Sequence, residues 1–258
     1  MIELILIFIL GLIIGSFLNC VIWRLYKEEN FIIGKSYCPY CHHDLGFWDL
    51  FPVLSFVFLK GKCRYCKGKI SFQYPLVELI TATIFFLVFI YLGSVISLQL
   101  FFWLIIMAFL IGIFIFDLKY FIIPDEITYS AIFLSIIWLV YSFFIGTISS
   151  HEIILTIISS LGASLFFFLI WFFSKGMAMG FGDVKLALLI GLLLGFPNTI
   201  VALFLGFLLG AIIGLAMIFL KKKEFVSEVP FAPFLVVGTI ISFFFGNNMI
   251  NWYLSLMV

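Results

Sequence analysis

Charge is what this sequence has least of. Of its 258 residues, 14 are lysine or arginine and 13 aspartate or glutamate, so charged residues make up only 10% of the chain. A soluble domain carries roughly a quarter. So few polar groups cannot cover a water-facing surface, which excludes a soluble globular protein. The net charge of +1 gives no electrostatic footprint for nucleic acid, and no such partner is expected. Long linkers, low-complexity tracts and fixed-period repeats are absent as well. Met1-Ile2-Glu3-Leu4 lacks the basic start of a cleavable signal, and no small-residue cleavage pattern follows the first apolar run. That run is therefore expected to remain as a transmembrane helix.

What the chain does have is apolar length: 65% of its residues are hydrophobic. The expected fold is an all-α polytopic membrane protein embedded in a lipid bilayer. A spanning helix needs about 20 mostly apolar residues, and candidates fall at roughly 4–24, 76–93, 97–116, 129–146, 153–173, 184–196, 199–220 and 232–250, eight in all. The sixth is short, because thirteen residues at about 1.5 Å each cover about 20 Å of a core about 30 Å thick. The expected organisation is a first transmembrane helix (1–25), a polar, cysteine-rich cytoplasmic insertion (26–73) and a transmembrane core (74–258).

The placement of lysine and arginine predicts orientation. If the loop after the first span is cytoplasmic, so are Arg24, Lys27, Lys35, Lys60, Lys62, Arg64, Lys67 and Lys69. Lys119, Lys175, Lys185, Lys221, Lys222 and Lys223 then fall on the same side, which accounts for every basic residue of the chain. Both termini are expected outside. In the first span, Gly11, Gly15 and Asn19 share one helical face. They suit close helix packing, with Asn19 able to hydrogen-bond across the contact, and a functional role is the alternative. Gly206, Gly210 and Gly214 repeat the small-residue spacing and read as packing.

Cys38-Pro39-Tyr40-Cys41 and Cys63-Arg64-Tyr65-Cys66 stand twenty-one residues apart. Two such knuckles form a tetrathiolate zinc signature, and four thiolates close the tetrahedron, so Zn2+ would be structural. The alternatives are unliganded reduced thiols or a redox pair. In a reducing cytosol stable disulfides are disfavoured. His42 and His43 are expected at the surface, and Cys20 as an inert buried thiol.

Ionisable groups near membrane depth are expensive and point to function. Asp117 ends an apolar run, and Asp183 follows Gly180-Phe181-Gly182 at the start of the short sixth span. Asp125, behind Pro124, fits a helix N-cap. Asp183 also fits a cap, but a cap needs no two glycines, whereas close approach of an extended peptide would use them. Two carboxylates at one membrane face suit acid–base hydrolysis of a peptide bond, one activating water and the other holding the proton. The rival readings are an ion- or proton-coupled transporter using the same pair and a zinc-ribbon scaffold without chemistry.

These residues resemble the bacterial prepilin peptidases, or type IV leader peptidases, which are aspartyl proteases of the GxGD type. Gly15-Ser16-Phe17-Leu18-Asn19 leads to Arg24-Leu25, and the paired knuckles enclose Asp49-Leu50-Phe51-Pro52-Val53-Leu54-Ser55. Tyr74-Pro75-Leu76-Val77-Glu78 follows. Asp117 precedes Ile123-Pro124-Asp125, and Gly180-Phe181-Gly182-Asp183 leads into Lys185-Leu186. Pro230-Phe231-Ala232-Pro233-Phe234 stands where the family carries a glycine in place of Ala232. Lys35 and Tyr37 stand where an Arg-Ser pair would directly precede the first knuckle.

The resemblance spans about residues 11–235 and implies a catalytic pair of Asp117 and Asp183. It implies cleavage of a prepilin or pseudopilin leader after its glycine, at the cytoplasmic face of the bacterial inner membrane. Gly180, Gly182, Asp125 and Lys185 would lie near the substrate, with Glu126 a further candidate for the basic leader. It also implies N-methylation of the new N-terminus by S-adenosylmethionine. No glycine-rich methyltransferase fingerprint is visible, so that activity rests on the resemblance alone.

Overall fold

The computed structural model describes residues 2–30, 34–219 and 230–256. Its helices are α1 (Ile2–Tyr26), α2 (Leu54–Phe58), α3 (Gln73–Tyr91), α4 (Leu98–Tyr120), α5 (Asp125–Phe144), α6 (Ser150–Phe173), α7 (Phe181–Leu194), α8 (Asn198–Phe219) and α9 (Ala232–Ser255), with a short 3-10 helix at Phe47–Asp49. Each of the eight expected spans coincides with a helix, α1 and α3 to α9. Seven are long and apolar enough to cross a membrane; α7, with 14 residues, is not. Among the described residues, β pairing is confined to two isolated bridges, Tyr37 with Asp44 and Lys62 with Lys69. Lys221, Lys222 and Lys223 lie outside the described residues.

The chain divides into two compact units, Met1–Gly112 and Ile113–Val258. In the first, α1 and α3 pack antiparallel with a constant register. A Cβ added at Gly11 would come within 2.5 Å of the Ala82 Cα, and one at Gly15 within 2.6 Å of the Glu78 Cα. One turn on, the Asn19 amide donates to the carbonyls of Gly15 and Tyr74, at 3.2 Å each. Of the two readings of this face, packing is the one observed, with Asn19 bonding across it as small-residue interfaces in lipid allow.

The second unit packs by the same device. Gly191 of α7 lies against the α6 backbone at Ser160, and Gly238 of α9 against the Ala202 carbonyl of α8. The expected glycine stripe of α8 is only partly used. Gly206 and Gly210 meet Leu235 and Phe234, but Gly214 has no atom of another residue near its Cβ position among the described residues.

Large apolar side chains such as Phe133, Phe144, Phe173 and Phe204 point outward, as a lipid-facing surface requires. Several buried hydroxyls answer their own stretch of chain instead. Thr81, Thr128, Ser135, Thr199 and Thr239 each donate to the carbonyl four residues back, which leaves no donor unpaired in a medium without water.

Local signals explain the helix ends. Ser149 caps α6 and exchanges bonds with Glu152, a reciprocal capping box. Pro124 precedes α5 with extended backbone. Two expectations shift here. Gly180 is the N-cap of α7, so the helix begins at Phe181 and Asp183 lies in its first turn. Pro124 occupies the N-cap of α5, which moves Asp125 to the first helical position and frees its carboxylate for another partner.

Candidate functional site

In the second unit, the end of α4 and the starts of α5, α7 and α9 gather at one place. Asp117, one turn from the end of α4, accepts a hydrogen bond from the backbone N–H of Ala232, the first residue of α9. Asp183 accepts one from the N–H of Gly180, a use that the first turn of any helix offers a carboxylate. The two acids are close enough for their charges to interact, and each is enclosed, at 5% and 6% exposure. The stretch Pro230-Phe231-Ala232-Pro233-Phe234 therefore reaches Asp117 directly, a contact that sequence reasoning had no means to assign.

The connection from Asp117 to Asp125 is held against α7 at two points. A Cβ on Gly182 would fall 2.8 Å from the Ile123 Cβ, so the missing side chain of Gly182 is used inside the protein. Gly180 differs: among the described residues nothing comes nearer than 3.9 Å to its Cβ position, which leaves that side of the turn open to them. Beyond Ile123, Lys185 forms an ion pair with Asp125. Its ammonium also lies 5.1 Å from the Tyr129 ring and 5.6 Å from the Phe181 ring. Lys185 is mostly shielded while Asp125 is half-exposed, so the pair joins α5 to α7 at the rim of the site.

In the first unit, Cys38, Cys41, Cys63 and Cys66 come together, their sulfurs all within 4.8 Å of one another. Cys38 and Cys66 are 3.8 Å apart, matching the separation of about 3.8 Å between two thiolates bound tetrahedrally at 2.3 Å from one ion. The donor set therefore fits a metal. Each knuckle closes in the same way, with Cys38 N–H donating to His43 O and Cys63 N–H to Gly68 O, at 3.0 and 2.8 Å. Burial alone would raise the Cys63 thiol, but N–H groups of Cys66 and Tyr65 outweigh it and bring it down to about 7. For Cys66, the Gly68 N–H favours the thiolate, but burial and the neighbouring thiols prevail and push it up to about 11. Four thiolates without a cation repel one another, so metal binding here must release protons.

His42 and His43 are not part of this cluster; the His42 ring stacks on Tyr37 and the His43 ring lies tilted against Tyr65. Asp49 braces the second knuckle, taking bonds from Arg64 Nε at 2.6 Å, the Gly46 N–H at 3.1 Å and the Tyr65 hydroxyl at 3.3 Å. Burial alone would raise its carboxyl, but these bonds hold it below its ordinary value.

Two buried charges that sequence reasoning left without a role also sit in this unit. Arg24 donates to the carbonyls of Asn30 and Lys35, and Glu78 accepts from the Val53 N–H at 2.7 Å. A charge within an apolar span was the available signal for both.

Two family descriptions match the chain: the bacterial peptidase A24 N-terminal domain over residues 9–92 and the type IV leader peptidase family over residues 102–215. Similar curated proteins carry the name prepilin leader peptidase/N-methyltransferase. The one from Bacillus subtilis (strain 168) is 32% identical over 96% of this chain and 97% of its own length. That from Aeromonas hydrophila is 30% identical over 97% and 93%, and that from Legionella pneumophila 28% over 95% and 92%. No solved structure matches. With such relatives over nearly its whole length, this multi-pass chain belongs to the type IV leader peptidase family.

Proposed function

We propose that the protein is a prepilin leader peptidase, and that Asp117 and Asp183 are its catalytic pair. The observation that carries this reading is the meeting of two enclosed carboxylates at one end of the second unit. Two acids so placed hold one proton between them at little cost, but two charges only at a high one. The ionised carboxylate draws a proton from water as it attacks the scissile carbonyl. The protonated one donates to the carbonyl oxygen; as the C–N bond then breaks, the first acid passes the proton it took from water to the leaving nitrogen, and a diol hydroxyl returns a proton to the second. The Ala232 and Gly180 N–H groups fix the two acids in place. The substrate is a prepilin or pseudopilin, whose extended leader passes the open side of Gly180 while its apolar helix stays in lipid.

The chain's basic residues support a cytoplasmic site in the bacterial inner membrane with both termini outside. Asp125, Gly182 and Lys185 act beside the leader as part of the wall of the site. Family membership speaks against the transporter reading.

Zn2+ is the metal proposed for the four cysteines, with a structural role because a set of four thiolates leaves no open position for water. Purified protein is expected to carry one zinc per chain. Cys63→Ser should lose it, and acidification should release it as protons compete for the thiolates. Wild-type protein without zinc would refute the assignment. The relatives' names also include methylation, for which S-adenosylmethionine is the donor. The β pairing among the described residues is limited to the knuckle bridges, which offers the donor no glycine-rich turn after a strand, and no residue is assigned to it.

The activity is tested by incubating zinc-loaded protein in lipid nanodiscs with a prepilin and weighing the products. Cleavage after the leader glycine is expected, with a gain of one methyl group when S-adenosylmethionine is added. An intact prepilin, with dissipation of an ion gradient by the same protein in liposomes, would overturn the reading.

A further inference from the structure

The loop between α1 and α3 exposes side chains that neither the cysteine cluster nor the paired acids use. Phe47, Trp48, Phe58 and Phe72 are each exposed to 70% or more, with Phe51 and Val57 beside them. They are not scattered. Phe47 packs edge-on against Trp48 and Phe51, at 5.7 and 6.0 Å between ring centres. Phe72 meets Phe56 in the same way at 5.6 Å. An aromatic patch of this kind in water marks an interaction surface.

Its depth identifies the partner. The N–H of Val53, at the start of α2, is bonded to Glu78 of α3. Glu78 lies two residues inside the apolar stretch that begins at Leu76 and is level with Gly15 of α1. From Gly15 to Arg24, where α1 regains charge, is nine residues, or about 14 Å of helix. The start of α2 is thus fastened below the level at which either span meets water. The exposed apolar face of α3, at Leu76, Leu79 and Ile80, leads directly to Phe72.

The backbone is also prepared for a dry setting. Leu50 N–H donates to Phe47 O, Ser55 to Phe51, Val57 to Val53, Leu59 to Ser55 and Gly61 to Phe56, while Glu78 takes the Val53 group. Irregular chain tolerates membrane depth only when its polar groups are answered in this way. Lys60, Lys62, Lys67 and Lys69 follow immediately and are exposed, while Arg64 is paired with Asp49; such a lysine cluster suits anionic headgroups.

We propose that residues 47–58, with Phe72, form an interfacial element that inserts into the anionic leaflet and seats the cysteine-bearing loop on the bilayer. Glu78 is the anchor that sets its depth.

The test is hydroxyl-radical footprinting of the wild-type, zinc-loaded protein in phosphatidylglycerol nanodiscs holding one copy each. Tyr40, in the first knuckle, is exposed to 67% and serves as the internal reference for Trp48 at 73% and Phe58 at 80%. Because lipid excludes water, Trp48 and Phe58 are expected to be oxidised at least about fivefold more slowly than Tyr40. Oxidation of Trp48 and Phe58 at the rate of Tyr40 would overturn the proposal. It would leave the patch to a protein partner absent from the nanodisc.

Discussion

Asp183→Asn is expected to lower the rate of leader cleavage by about 10³-fold or more, in line with the loss of a group that transfers protons in the transition state. Asparagine keeps the size of the side chain and can still accept from the Gly180 N–H, so the first turn of α7 persists. It can neither carry the charge that activates water nor pass on a proton. The substitution also removes a like charge facing Asp117, and the thermal midpoint is expected to stay level or rise. Asp117→Asn should behave in the same way, and the double variant should be no slower than either single one, because the two groups act as a unit. The measurement is the cleavage rate on a prepilin in nanodiscs, with zinc content and thermal midpoint recorded on the same samples. Cleavage at near wild-type rate in either variant would remove that residue from the chemistry.

The second large effect concerns Gly191, which has no chemistry of its own. A Cβ at this position would stand 2.2 Å from the Ser160 Cα and 2.6 Å from its nitrogen. Both are backbone atoms that no rotamer change can move. Around this contact Ser160 donates to the Leu188 carbonyl at 2.8 Å, and Ser164 to the Val184 carbonyl at 3.3 Å. Gly191→Val must force α6 and α7 apart and break that pairing. The expected cost is about 3 kcal/mol, at the upper end for overpacking a tight interior. Because α7 carries Asp183 in its first turn, cleavage should fall along with the thermal midpoint. Gly162→Ala is the control. It lies on α6 with no neighbouring atom within 4 Å of its Cβ position among the described residues, and alanine there should stabilise the helix by about 0.5–1 kcal/mol. A Gly191→Val protein with unchanged midpoint and activity would show that α6 and α7 do not need this contact.

Much of this arrangement is legible in the sequence because membrane helices advertise themselves locally. Apolar runs, capping residues and the one-sided lysines identify α1 and α3 to α9 without reference to any distant residue. The Cys-x-x-Cys spacing does the same for the sulfur cluster. What was hidden depends on pairing segments far apart in the chain. The Ala232 N–H on Asp117 requires α9 to begin beside the end of α4, and nothing near Ala232 announces an acid. Gly182 invited an outside peptide, and Ile123 fills the space instead. Asp125 resembled a cap until Lys185 was found beside it. The role of Glu78 needs two facts at once: its depth, set by α1, and a short helix in the loop ready to donate to it.

The shortness of α7 has a kinetic meaning. Fourteen residues cover about 21 Å of a core about 30 Å thick. On the proposed function, Asp183, held in its first turn, works at the level where headgroups give way to chains. The proposed substrate, whose own helix would be confined to the same sheet of lipid, is then expected to reach it by lateral diffusion in two dimensions. Saturation should then be governed by mole fraction in the bilayer. Extra lipid added at constant bulk concentrations would slow the enzyme as though substrate had been withdrawn.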